Sequence, residues 1–249
     1  MKLITISDIH ILNEQDPIYD QLLRMIDQEI QSGDHLVLAG DIFDFLVGRP
    51  IKIQKRYGQF FSLLKKVGER GASIHYIEGN HDFHLRNAFD QIPGFKLYPA
   101  EITLECEGKK FYIAHGDLVD QKDKGYLFLR GLFRHPLTYV AAQFLPEFAV
   151  DAIGARSGEL SHGKRKKTPS ALLQAKIDRT RKVFRLFAEA KTAHGFDFVI
   201  LGHCHDADEM KFTHGKRVGH YMNVGFPKEH QSYIRWTSGD TQLTRTKLD

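Results

Sequence analysis

Five short blocks of this 249-residue chain carry the residue types that bind metal ions and handle phosphate. They are Asp8-Ile9-His10, Gly40-Asp41-Ile42-Phe43-Asp44, Gly79-Asn80-His81-Asp82, His115-Gly116-Asp117 and Gly202-His203-Cys204-His205. Each has an ordinary explanation when taken alone. Asp-x-His is more often a capping carboxylate beside a solvated imidazole, Gly-Asp-x-x-Asp is usually a turn, and Gly-Asn-His-Asp fits an Asx-turn. Gly-His-Cys-His is stronger, because imidazoles at i and i+2 can converge from one loop. A structural zinc site would need Cys and His partners that are missing elsewhere. Cys204 reads as a small packed residue between two ligands. The set outweighs its members because every block follows an apolar, strand-like run. In open α/β sheets ligands bind beyond the carboxyl ends of the strands, and all five blocks are expected along that edge of one sheet.

Carboxylate, amide oxygen and imidazole form a mixed oxygen and nitrogen donor set. Such a set suits manganese, iron, zinc or cobalt better than calcium or magnesium. Seven ligand residues are too many for one ion and enough for two. A shared carboxylate would hold such a pair about 3.5–4 Å apart. Water held between two divalent ions has a lowered pKa and attacks phosphorus at neutral pH, while the ions neutralise the phosphoryl oxygens.

The elements that must position these blocks are legible around them. Lys2–Ser7, His35–Ala39 and Ser73–Ile77 read as short buried strands. Between them, a helix starts at Asp16-Pro17 and runs through Leu22, Leu23, Ile26 and Ile30 to Gly33. A second spans about Ile51 to Glu69. Strand, helix, strand, helix, strand predicts an α/β sheet with a parallel part. Ile102–Cys106 and Lys110–Ala114 flank Glu107-Gly108-Lys109 as a β-hairpin, and a long helical stretch follows from about Gly125 to His194, its last helix starting at Thr168-Pro169. Phe196–Leu201 returns to a buried strand, and Arg217–Val224, Ser232–Trp236 and Thr241–Thr246 finish with hairpin character.

Composition is that of an ordinary globular chain, 42% hydrophobic and 27% charged. No linker divides it, so one domain over residues 1–249 is expected, with a helical cap inserted at 125–167. The start runs straight into Leu3-Ile4-Thr5-Ile6, against a secretory signal. The apolar stretch Leu137 to Ile153 is broken by Pro146, Glu147 and Asp151, so no membrane span is expected. Cys106 and Cys204 suit a reduced cytosolic compartment. The net charge of +4 fits an anionic substrate or membrane surface without demanding nucleic acid.

In order and spacing the blocks resemble the calcineurin-like metallophosphoesterase superfamily, over about residues 3 to 225. The resemblance implies a four-layer αββα sandwich within the α/β class (α+β by some schemes). It implies one divalent ion on Asp8, His10, Asp41 and His205, and a second on Asp41, Asn80, His115 and His203, with Asp41 as the bridge. It gives His81 a catalytic place at the substrate phosphate and Asp44 the place of the carboxylate that orients it. A loop-capping role fits Asp44 equally well.

The insertion bears on the substrate. Gly125-Tyr126-Leu127-Phe128-Leu129-Arg130, Pro136-Leu137, Phe144-Leu145-Pro146 and Ile153-Gly154-Ala155-Arg156 are rich in apolar residues, and Lys164-Arg165-Lys166-Lys167 closes the segment. Too many apolar positions for one helix face predict two facing helices with an oily inner side and a basic rim, matching a two-tailed anionic lipid. A lid packed on itself or a dimer interface is the plainer alternative. His115-Gly116-Asp117, Asp123, Gly125-Tyr126, Pro136 and the Ala-Arg before Ser161 resemble the UDP-2,3-diacylglucosamine hydrolase family of lipid A biosynthesis. That resemblance implies hydrolysis of the pyrophosphate to UMP and 2,3-diacylglucosamine 1-phosphate. It also implies manganese dependence and a peripheral place at the cytoplasmic face of the inner membrane. By carry-over Asn80, His81, Asp123, Ser161 and His203 touch the substrate. Where that family often has Arg, this chain has His81, and Arg165 and Thr168 also depart from its pattern. Another nucleotide, nucleic-acid or phosphoester substrate is the alternative.

Overall fold

The apolar strands assemble into two sheets. The structure is a computed structural model and describes residues 1–44, 46, 50–138, 140 and 170–249. The first sheet has six strands in the order β11-β10-β1-β2-β3-β4: β1 (Lys2–Ile6), β2 (His35–Leu38), β3 (Ser73–Ile77), β4 (Phe95–Tyr98), β10 (Ser232–Thr237) and β11 (Thr244–Lys247). Its β1-β2-β3-β4 portion is parallel. The second sheet has five strands in the order β5-β6-β7-β9-β8: β5 (Glu101–Cys106), β6 (Lys109–Ala114), β7 (Phe198–Leu201), β8 (Glu209–His214) and β9 (Arg217–Asn223). The expected single sheet edge is therefore corrected. The antiparallel β5–β6 hairpin opens a new sheet, so the first three blocks end strands of one sheet and the last two end strands of the other.

Side-chain alternation explains the layering, since successive strand residues face opposite sides. Leu3, Val37, Ile77, Ile234 and Trp236 of the first sheet meet Phe111, Ile113, Phe198, Ile200 and Met222 of the second in a buried inter-sheet core. The opposite face of the first sheet, with Ile4, Ile6, Leu36, Leu38, Ile74 and Tyr76, packs on α1 (Pro17–Glu29) and α3 (Gly58–Glu69) through Leu22, Ile26, Phe60 and Leu64. The outer face of the second sheet packs on a long C-terminal helix, Ser170–Ala193, through Phe184 and Ala188. Helix, sheet, sheet, helix is the expected four-layer sandwich.

Several element boundaries differ from the expectation. The single helix over 51–69 is two, α2 (Pro50–Arg56) and α3, because Tyr57 leaves the helical backbone at φ −120°, ψ 44°. Its ring is drawn into the core 4.2 Å from that of Phe43. Asp16 caps α1 as expected, and the helix closes at Glu29. Strands β4 and β8 are additional. In the segment where an insertion is expected, α4 spans Lys124–Phe133; among the described residues the next helices are α5, the Ser170–Ala193 helix, and a short α6 (Pro227–His230). The expected second cap helix, Ser161, the basic run and the Thr168-Pro169 start lie outside the described residues. Among the described residues no helix is long and apolar enough to cross a membrane.

Candidate metal centre

The two sheets present their strand ends to one another, and the five blocks meet there. Asp8 and His10 follow β1, Asp41 and Asp44 follow β2, and Asn80 and His81 follow β3. His115 follows β6, and His203 and His205 follow β7. The turns are tight enough to force unusual backbone: Asp8, His10, Asp41, His203 and His205 have φ of 55°, 52°, 53°, 66° and 56°. Asp and His tolerate this left-handed region better than most residues, yet each costs about 1–3 kcal/mol. Such strain persists only where the surroundings over-determine it. Glycine is required beside two of these turns. A Cβ on Gly79 would lie 2.1 Å from Asp41 Oδ1, and one on Gly202 would lie 2.4 Å from Asp8 Oδ2.

The side chains converge as two donor groups sharing Asp41. In the first, His10 Nε2 and His205 Nε2 are 3.2 Å apart. His205 Nε2 is 3.4 Å from Asp8 Oδ1, and His10 Nε2 is 3.7 Å from Asp41 Oδ2. In the second, His115 Nε2 lies 3.1 Å from Asn80 Oδ1, 3.3 Å from His203 Nδ1 and 3.6 Å from Asp41 Oδ2. His115 Nδ1 donates to the Ala39 carbonyl at 3.1 Å, which fixes the tautomer and turns the Nε2 lone pair into the cluster. Asp8, His10 and His205 form one group able to hold a metal ion, and Asp8, Asp41 and His115 form another. Buried carboxylates and His115, with the half-buried Asn80, His10, His203 and His205, form a converging acceptor set that fits divalent cations. All seven residues assigned by resemblance are brought together.

Electrostatics point the same way. Burial pushes Asp8 upward, but the hydrogen bond from His205 and the charges of His115, His205 and His10 hold it well below the usual range. Asp41 is likewise lowered: burial opposes this, and His115, His81 and His10 outweigh it. Burial disfavours the charged His115, yet Asp41, Asp8 and Asp117 lift it to about 9. Burial and the neighbouring His115 push His203 down to about 4. The cluster thus holds anionic carboxylates faced by imidazoles and by hydroxyl and backbone N–H donors, an arrangement suited to cations.

His81 stands beside this cluster. Its Nδ1 donates to the Asp44 backbone carbonyl at 2.6 Å, and its Nε2 is 4.0 Å from Asp41 Oδ2. Burial disfavours its charged form, but Asp41 and the Asp44 carbonyl outweigh that and raise it. The expected partnership of Asp44 and His81 is thus altered. The Asp44 carbonyl orients His81, while its carboxylate lies 3.4 Å from His10 Nδ1. His10, Asp44 and His81 also form a third group of possible donors. Asp123 caps α4, its Oδ1 accepting from the Tyr126 N–H at 2.9 Å.

Other contributors were not singled out from the sequence. Asp82, fully buried, accepts from the N–H groups of Asp41, Ile42 and Gly79 and from the Tyr76 hydroxyl, so it moulds the Asp41 turn. Burial and the adjacent Asp41 push it up to about 7. Asp117 accepts from the Tyr126 hydroxyl at 2.7 Å and from Arg130 Nε at 2.5 Å. The Phe226 ring stacks on His205 at 4.8 Å and meets His10 at 6.1 Å. Lys228 Nζ donates to the His10 carbonyl at 2.8 Å and to Asp16 at 2.7 Å. Asp82 lay in view inside its block; Phe226 and Lys228 carry no local signal, because their contacts with His10 span more than 200 residues.

The family model for calcineurin-like phosphoesterases matches residues 1–207. The chain belongs to that family. Members use divalent metals, as the donor groups here would require. The chain is 26% identical over 245 residues to UDP-2,3-diacylglucosamine hydrolase of Escherichia coli O81, covering 98% of each chain. It is 25% identical over 247 residues to the enzyme of the same name from an Enterobacter species, again covering 98% of each. Among solved structures, an archaeal phosphodiesterase aligns over 100% of both chains with a TM-score of 0.45 and 13% identity. Phosphopantetheinyl hydrolase of Mycobacterium tuberculosis aligns over 100% of this chain and 96% of that one, with a TM-score of 0.43 and 15% identity.

Proposed function

We propose that this calcineurin-like phosphoesterase hydrolyses the pyrophosphate of UDP-2,3-diacylglucosamine, releasing UMP and 2,3-diacylglucosamine 1-phosphate. The observation that carries the reading is end-to-end collinearity with hydrolases of that name, 98% of each chain, with every candidate ligand in place. The start of the insertion supports it. Helix α4 has no buried residue, and its Phe128, Leu129, Leu132 and Phe133 are exposed, as acyl chains would need. The reading extends to contact with an anionic membrane surface at its cytoplasmic face.

In this reading Asp8, His10, Asp41 and His205 hold one ion, and Asp41, Asn80, His115 and His203 the other, with manganese first among the candidates. Bound there, the two ions would supply a water acidic enough to attack at neutral pH and would neutralise phosphoryl oxygens. The protein fixes the geometry. Asp82 shapes the turn that delivers Asp41, and the Ala39 carbonyl keeps His115 in its ligating tautomer. His81, its Nδ1 held by the Asp44 carbonyl, directs Nε2 at the phosphate and stabilises charge on the departing oxygen. Water adds to the α-phosphorus, the bond to the bridging oxygen breaks, and the sugar 1-phosphate leaves with the electron pair.

The test is product analysis from UDP-2,3-diacylglucosamine with added manganese. UMP and the lipid 1-phosphate in equal amounts support the reading. Failure to cleave this substrate, with turnover of a simple phosphodiester intact, refutes the substrate and leaves another phosphoester as the answer.

A further inference from the structure

Helix α4 does more than open the insertion, because two arginines on it reach back to the loops of the candidate centre. Arg134, at its C-terminus, donates from Nη2 to the Gly79 carbonyl at 2.7 Å. From Nη1 it donates to Glu78 Oε2 at 2.8 Å and to the Pro99 carbonyl at 2.9 Å. The Arg134 side chain is only 14% exposed and that of Glu78 only 10%. The other Glu78 oxygen accepts from the Leu85 N–H at 3.1 Å. The loop from Gly79 to Leu85, which carries Asn80 and His81, is therefore pinned at both ends by one ion pair. The Arg134 guanidinium also lies over the Phe83 ring, 5.8 Å from its centre.

The Gly79 carbonyl is a consequential atom to hold. It shares a rigid plane with the N–H of Asn80, so fixing it limits the rotations on either side and hence the aim of the Asn80 side chain. The other side of Gly79 is closed, since its N–H donates to Asp82 at 2.8 Å and its Cα faces Asp41. Arg134 supplies the remaining constraint. Toward its N-terminal end, α4 reaches the neighbours of the other ligands of the same donor group. Arg130 and Tyr126 hold Asp117, two residues after His115, and the Tyr126 ring is 5.8 Å from that of His203. No described contact of α4 is with Asp8, His10 or His205 themselves; that side is braced by Phe226 and Lys228.

We infer that Arg134 is a positioning residue that sets the Asn80 loop, and so tunes the affinity of the Asn80–His115–His203 group for its ion more than that of the Asp8–His10–His205 group. A planar guanidinium can serve a carboxylate and a carbonyl together, whereas a lysine ammonium is a point donor. Groups that orient ligands are worth about 10–100-fold in metal affinity. The inference rests on the two-ion reading above.

The experiment is calorimetric titration of the metal-free full-length protein with manganese, for the parent, Arg134→Gln and Arg134→Lys, together with metal-free thermal unfolding. The parent is expected to take up two ions; one ion or none overturns the two-ion reading itself. With two ions in the parent, Arg134→Gln is expected to weaken one binding step about 10-fold or more and the other by clearly less. High manganese should then restore its rate on a chromogenic phosphodiester. Two unchanged steps in a folded variant, or two steps weakened equally, overturn the inference. If Arg134→Gln does not fold, Arg134→Lys keeps the charge beside Glu78 and carries the same criteria. Full parental affinity in Arg134→Lys also overturns the inference, because charge alone would then suffice.

Discussion

Gly79→Ala puts the packing of the site to a quantitative test. The new Cβ would meet Asp41 Oδ1 at 2.1 Å, the Asp41 backbone nitrogen at 2.5 Å and Asp82 Oδ1 at 2.8 Å. Turning the Asp41 carboxylate away relieves the first contact only, and breaks the hydrogen bond it accepts from the His81 N–H at 2.9 Å. The contact with the backbone nitrogen has no rotameric escape. Restoring ordinary van der Waals separation requires the ends of β2 and β3 to part by about 1 Å. A displacement of that size at reacting groups costs about 100-fold in rate. Overpacking of this kind costs about 1–3 kcal/mol, or roughly 2–12 °C of unfolding temperature in a chain of this length. The assay is kcat on a chromogenic phosphodiester at saturating manganese, with the unfolding midpoint measured alongside. Gly58→Ala is the control, since no described atom lies within 4 Å of its added Cβ. A Gly79→Ala protein with kcat within about threefold of parent and an unshifted midpoint would refute the argument.

Further outcomes follow from the same geometry. Asp41→Asn is expected to lower turnover about 1,000-fold or more and to reduce bound metal; near-normal turnover with full metal content would sink the shared-carboxylate arrangement. His81→Gln should lower kcat about 100-fold while metal content stays at parental level, and the loss should shrink for substrates with better leaving groups; an unchanged kcat would exclude the role. His115, raised from 6.5 to about 9, must lose its Nε2 proton to bind an ion, so manganese uptake at pH 7.5 should release protons, seen as a binding enthalpy that changes with buffer. The sign for stability follows: a raised group stabilises the metal-free fold fully below 6.5, and that contribution is lost as pH rises through about 9. His115→Gln should therefore flatten the metal-free unfolding midpoint over that range.

Much of the site was legible because its residues end strands, where chain direction and pleat leave a side chain few places to go. Asp8, His10, Asp41, Asn80, His115, His203 and His205 all arrive from blocks readable over a few residues. The division between two sheets was not readable that way, because nothing local in Glu107-Gly108-Lys109 says that its hairpin begins a separate sheet. The detail of Asp44 is not legible in sequence because a motif names a residue, not which of its oxygens is used; the carbonyl serves His81 and the carboxylate serves His10. Strand β8 escaped because Glu209, Met210, Lys211 and Thr213 are exposed at a sheet edge and leave little apolar pattern. Arg134 escaped for a different reason. In sequence it is one more cation on a helix, and its partners Pro99, Gly79 and Glu78 lie 35, 55 and 56 residues earlier.

The division of the donors between the two sheets also bears on how the protein is made. Each donor group draws from both halves of the chain: His10 faces His205 across 195 residues, and His115 faces His203 across 88. A chain emerging in order would present Asp8, His10, Asp41 and Asn80 long before β7 exists. Those early residues alone make an incomplete set, so neither ion would find its full coordination until His203 and His205 had docked. Metal capture would then be a late step of biogenesis and a report that the sandwich has closed. Ions bound only to that closed form would shift the equilibrium toward it by mass action.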